Sequence, residues 1–88
     1  MAERTVTLVN RRGLHARASA KFVTVAAGQS AVVEVEKDGA TVTGTSIMGL
    51  MMLGAAMGDA ITIRAQGDGA DAAVEELAKL VEDAFGEE

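Results

Sequence analysis

His15 is the single histidine of a chain that has no cysteine, tyrosine or tryptophan. It lies in the stretch Asn10-Arg11-Arg12-Gly13-Leu14-His15-Ala16-Arg17-Ala18-Ser19. Residues 5–9 before it alternate as a short strand. Residues 16–27 after it are alanine-rich and free of glycine and proline, which predicts a helix. The imidazole therefore falls where a helix begins, beside backbone N–H groups without intrahelical partners and at the positive end of the helix dipole. Such a helix mouth is a natural anion site, and Arg17 adds a cation two residues on. A free imidazole, with a pKa of about 6.5, is mostly neutral near pH 7 and can act as a nucleophile. The expected chemistry is carriage of an anion, foremost phosphate, with Arg17 and the backbone N–H groups of Ala16 and Arg17 around its oxygens.

The remaining elements must hold that stretch in place. In the helix over 16–27, Ala18, Phe22 and Val25 form one stripe with Ala26 beside it, while Arg17 and Lys21 share a solvated face. Gly28 is placed to end it. Residues 31–37 read as a second strand, with Ala31, Val33 and Val35 inward, and Asp38-Gly39 is a strong hairpin signal into a third strand at 40–43. Gly44-Thr45-Ser46 supplies a turn and a hydroxyl cap for a short helix over 47–53. Gly54 and Gly58 bracket a loop, and residues 60–65 alternate as a fourth strand. After Gly67-Asp68-Gly69, residues 70–85 read as a helix whose apolar stripe is Val74, Leu77, Val81 and Ala84. The order β-α-β-β-α-β-α leaves a gap between the first two strands that the fourth can fill. The expected fold is α+β, an open-faced sandwich with a four-stranded antiparallel sheet, three helices on one face and the other face in water.

Composition narrows the function classes. The 88 residues allow one domain, over 1–88, with a modest core. The net charge of −5 divides unevenly, about +4 through Val33 and −9 from Glu34 onward. A small basic focus on an acidic body suits a small anion and charged protein partners, not a nucleic acid, which calls for a broad basic face and, for single strands, aromatic stacking. No P-loop, cysteine nucleophile or second histidine supports a hydrolase, a kinase or a metal centre. No cofactor and no metal are expected. Residues 47–57 are apolar but too short to span a bilayer. The charged pair Glu3 and Arg4 comes within three residues of Met1, which argues against a secretory leader. The rival to a covalent carrier is a small regulatory domain that binds an anion reversibly at the same helix mouth.

Gly13-Leu14-His15-Ala16-Arg17 resembles the active-site motif of the histidine-containing phosphocarrier (HPr) family of the bacterial phosphotransferase system, including its nitrogen-related branch. Thr45-Ser46-Ile47-Met48-Gly49-Leu50-Met51-Met52-Leu53-Gly54 resembles that family's second motif. The resemblance covers essentially the whole chain and implies strand order 1-4-2-3. It implies a phosphocarrier and not an enzyme with its own turnover: His15 Nδ1 takes a phosphoryl group, originating in phosphoenolpyruvate, from phospho-enzyme I and passes it to a IIA-type domain, for sugar uptake or for carbon and nitrogen regulation. The absence of cysteine suits a cytoplasmic location, and a monomer with transient contacts is the default expectation. The resemblance also implies Ser46 as a regulatory phosphorylation site for an HPr kinase/phosphorylase, and a docking surface. Ile47, Met48 and Met51 are the expected docking patch, since so apolar a short helix cannot be buried on all sides and methionine adapts to several partners. One departure is Ala18, where the family often has proline. Proline in a first helical turn fixes the backbone, so Ala18 leaves this helix start less constrained, with nucleophile and cation both retained.

Overall fold

The computed structural model describes residues 1–87. Strands β1 (Ala2–Thr7), β2 (Val32–Lys37), β3 (Ala40–Thr43) and β4 (Ala60–Gln66) alternate with helices α1 (Ala16–Ala27), α2 (Ile47–Met52) and α3 (Ala70–Glu82). They form one antiparallel sheet in the order β1-β4-β2-β3. This is the expected open-faced α+β architecture.

Alternation fixes which face is dry. Val6 of β1, Val33 and Val35 of β2, and Ile61 and Ile63 of β4 are buried beneath the helices. On the other face Thr5 lies opposite Thr62, and their hydroxyls meet at 3.0 Å. There Arg64 of β4 pairs with Glu3 of β1 and Glu36 of β2, tying three strands through their side chains. A one-residue slip of β4 would bury Arg64 and expose Ile63, so the pattern holds the register. Phe22 of α1, Leu50 of α2 and Leu77 of α3 complete the core.

Two element bounds differ from the sequence reading. Strand β1 starts at Ala2 and ends at Thr7, not at 5 and 9, because Ala2 to Thr7 pair with Ala65 to Ala60 along the centre of the sheet. Leu8 is still fully buried, while Val9 is exposed. Helix α3 ends at Glu82, not at Phe85. Ala84 and Phe85 take φ of 56° and 55°, a left-handed turn that a side chain resists. The turn reverses the chain so that Phe85 enters the core in the place expected of Ala84, at 1% exposure. Gly28 does cap α1, but with φ of −81° it needs no glycine-specific conformation.

Candidate functional site

The imidazole is placed by two loops locked together. After β1, Gly13 adopts φ of +59°, and Leu14 donates its N–H to the Ala55 carbonyl at 3.0 Å. Ala55 belongs to the loop between α2 and β4, which is also bonded to Leu8 at both its N–H and its carbonyl. His15 then caps α1. Its backbone is extended, and its Nδ1 accepts from the Arg17 N–H at 3.2 Å. Ser19, which the apolar stripe did not include, is buried and donates its hydroxyl to the Leu14 carbonyl at 3.2 Å. With Leu14 itself buried, the loop before the histidine is rigid on both sides.

The ring is largely covered. Its side chain is 15% exposed, because the carboxylate of Glu87 lies against Nε2. That cover is polar, not aliphatic, and it leaves the Nδ1 edge facing the helix mouth. The other Glu87 oxygen accepts from Asn10 Nδ2 at 3.2 Å. Asn10 is fully buried in the loop before the histidine, and its amide also donates to the Gly13 carbonyl at 2.8 Å. Lys21 Nζ pins the returning tail by donating to the Phe85 carbonyl at 2.8 Å.

Around the imidazole lies an open depression of about 420 Å³ lined by Arg11, Arg12, His15, Arg17, Lys21, Gly86 and Glu87. Four of these seven residues carry cationic side chains. Among the described residues the Arg17 guanidinium has no carboxylate partner, and Arg17 is exposed. Its long side chain is free to close on an anion delivered at Nδ1. The Arg17 N–H, expected to face an incoming phosphate, is occupied by Nδ1 itself. It becomes available to a phosphate oxygen once Nδ1 gives up that bond.

Burial alone would raise the Glu87 carboxyl. Hydrogen bonds from Asn10 and His15, with the positive charges of His15 and Lys21, outweigh it and hold the group below its ordinary value. A carboxyl held low in the fold stabilises it fully above the ordinary value of 4.5, and loses that contribution as the pH falls through the lower folded value. Thermal melts of the wild type and Glu87→Gln should therefore differ at neutral pH and converge as the medium is acidified below about pH 4. A gap unchanged with pH would show that the ionised carboxylate does not hold the tail.

The second stretch singled out by sequence is built as a helix start. Ser46 Oγ accepts from the Gly49 N–H at 3.0 Å and caps α2. A cap of this kind is worth about 1 kcal/mol. Leu50 enters the core fully and Leu53 in part. Ile47, Met48 and Met51 are exposed at 40%, 67% and 40%. Met52 and Met57, which the sequence did not single out, are exposed at 79% and 56% and extend the apolar surface. Asn10 and Glu87 were also missed, since neither shares a local pattern with His15.

An open-faced sandwich that sets a histidine at the mouth of its first helix, ringed by cations, has the form of a phosphocarrier. The model of the PTS HPr component phosphorylation site family matches residues 2–83. The phosphocarrier protein HPr of Cupriavidus necator is 39% identical over 87 residues, covering 99% of this chain and 98% of its own. The phosphocarrier protein NPr of Shewanella violacea is 38% identical over 85 residues, covering 97% and 93%. Among solved structures, HPr from Thermoanaerobacter tengcongensis superposes with a TM-score of 0.95 at 43% identity, over 100% of this chain and 99% of that one. The chain belongs to the HPr family of phosphocarrier proteins of the phosphotransferase system. Both of these relatives are phosphocarrier proteins. Among the described residues no helix is long and apolar enough to cross a membrane.

Proposed function

We propose that His15 is the phosphoryl acceptor, taking the group at Nδ1 from phospho-enzyme I and giving it to a IIA-type domain. The observation that carries this reading is the pose of the ring: Nδ1 presents its lone pair to the first turn of α1, as the bond from the Arg17 N–H requires. On transfer the phosphoryl oxygens meet the positive helix end, the N–H groups of Ala16 and Arg17, the latter freed from Nδ1, and the Arg17 guanidinium. The clasp is light and open to solvent. A carrier needs that, because a product held too strongly would not be passed on. Arg11, Arg12 and Lys21 steer an acidic partner toward the ring. The carrier works in the cytoplasm as a monomer, in transient contact with each partner in turn.

Incubation with enzyme I and phosphoenolpyruvate, followed by mass measurement, tests the reading. One acid-labile phosphate is the expected gain. Reversible anion binding without a covalent adduct would instead mark a regulatory domain.

Ile47, Met48 and Met51 form the docking patch in this reading, with Met52 and Met57 widening it. Met48→Glu should slow phosphoryl uptake from enzyme I about tenfold by setting a charge in an apolar contact. Its melting temperature should stay within a few degrees of the wild type, since Met48 is a surface residue. A large fall in melting temperature would place Met48 in the core and remove it from the patch.

Ser46 is the site of regulatory phosphorylation by an HPr kinase/phosphorylase. A phosphate there sits at the N-terminus of α2, which the fold tolerates. It places a dianion next to Ile47 and so disfavours an acidic partner. An acid-stable gain of one phosphate at Ser46 on incubation with that kinase and ATP is the expected result.

A further inference from the structure

Glu87 is positioned with more care than a surface carboxylate needs. Both of its oxygens are engaged, one by the buried Asn10 amide and one by His15 Nε2. The tail that brings it there is fastened by buried Phe85 and by the bond from Lys21 to the Phe85 carbonyl. Two consecutive side-chain-bearing residues, Ala84 and Phe85, are held left-handed to turn the chain back over α1. Backbone strain of this kind persists where the surrounding structure over-determines it, and it clusters at functional sites. Glu87 is also the one carboxylate among the residues lining the cationic depression.

The two bonds to the ring agree on one tautomer. Nδ1 accepts from the Arg17 N–H, so in the neutral ring the proton resides on Nε2, where Glu87 accepts it. We propose that Glu87 is a positioning residue for phosphoryl exchange, holding the Nε2 proton, aiming the Nδ1 lone pair at the helix mouth, and offsetting the charge that the ring acquires. The proposal rests on the reading of His15 as phosphoryl acceptor.

In the step itself the Nδ1 lone pair forms the N–P bond while the bond from phosphorus to the donor breaks, its electron pair leaving with the donor. No proton leaves His15. The phosphorylated ring keeps its Nε2 proton and carries a positive charge, which faces the Glu87 carboxylate. Onward transfer runs the same exchange in reverse, so the ring departs as a neutral imidazole and not as an anion. A carboxylate behind a histidine serves hydrolytic triads by the same logic. Here the phosphoryl group is attached at the other nitrogen, away from the carboxylate, and is met by Arg17 and the helix end. Asn10 holds the carboxylate from behind.

Two measurements test this. The first is the ring nitrogen NMR spectrum of the unphosphorylated protein, taken at a pH where the imidazole is neutral. The wild type should show Nε2–H alone, and Glu87→Ala a mixture of tautomers. The second is the rate of phosphoryl uptake from phospho-enzyme I, expected to fall about tenfold in both Glu87→Ala and Glu87→Gln, and to recover in part in Glu87→Asp. An unchanged rate in Glu87→Gln overturns the role whatever the spectrum shows. A slower rate with an unchanged ring spectrum in Glu87→Ala overturns it as well, since the tail would then only shape the surface. The acceptor reading fails separately, if the wild type itself gains no phosphate.

Discussion

His15→Ala should abolish phosphoryl uptake from enzyme I, with no acid-labile phosphate detectable by mass. The chain holds no second imidazole and no cysteine. The serines and threonines are hydroxyls of high pKa, with no histidine beside them to remove the proton. The substitution has a structural side, because the imidazole caps α1 and bonds Glu87. Loss of such a cap costs about 1 kcal/mol, which in a domain of this size lowers the melting temperature by roughly 4–8 °C. His15→Asn separates the two effects. Asparagine is among the best capping residues and offers an oxygen to the Arg17 N–H, but no nucleophilic nitrogen. It should melt near the wild type and still take up no phosphate. Normal uptake by either variant would move the acceptor away from His15.

Gly13→Ala should be the most damaging small substitution in the chain. A Cβ there would lie 2.3 Å from the Ala55 carbonyl oxygen and 2.7 Å from Ala56 Cα, and both obstacles are backbone. The φ of +59° adds to the cost for any side chain. Left-handed backbone costs roughly 1–2 kcal/mol outside glycine, and overpacking about 1–3 kcal/mol more. Together these predict a fall in melting temperature on the order of 20 °C. The nearby bond from Leu14 N–H to Ala55 would open, and with it the seating of His15. Phosphoryl uptake should fall even at temperatures where the variant remains folded. Gly39→Ala is the comparison, since it also has positive φ, at +85°, but has nothing within 4 Å. It should cost only the backbone share, with uptake unchanged. Equal losses for the two variants would show that loop packing does not seat the site.

What could be read from the sequence was local. Helix α1 was legible because its composition changes sharply at both ends, with His15 before and Gly28 after. The Asp38-Gly39 hairpin was legible for the same reason, and both residues have positive φ as such a turn requires. Connectivity left a gap between the first two strands that the fourth could fill, and the order itself came with the family resemblance. The end of α3 was not legible, since the apolar stripe continues through Ala84 and neither Ala84 nor Phe85 marks a left-handed turn. Only burial of the Phe85 ring accounts for the break. At the site, His15 and Arg17 could be paired because they lie two positions apart in the chain. Glu87 lies 72 residues from His15 and 77 from Asn10, so their meeting depends on the whole sheet and α3 being in place. For the same reason the cover that leaves the ring 15% exposed was not legible either.

The return of the tail to the imidazole has a practical side. Any sequence fused after Glu88 begins two residues beyond Glu87, whose side chain touches the ring, so an affinity handle placed there is expected to disturb how the ring is held. Upstream of Met1 the situation is the reverse. The six residues of β1 run from that end toward the histidine, which sets an N-terminal graft roughly 17 Å further off. Purification tags and fluorescent reporters for this carrier belong at its beginning.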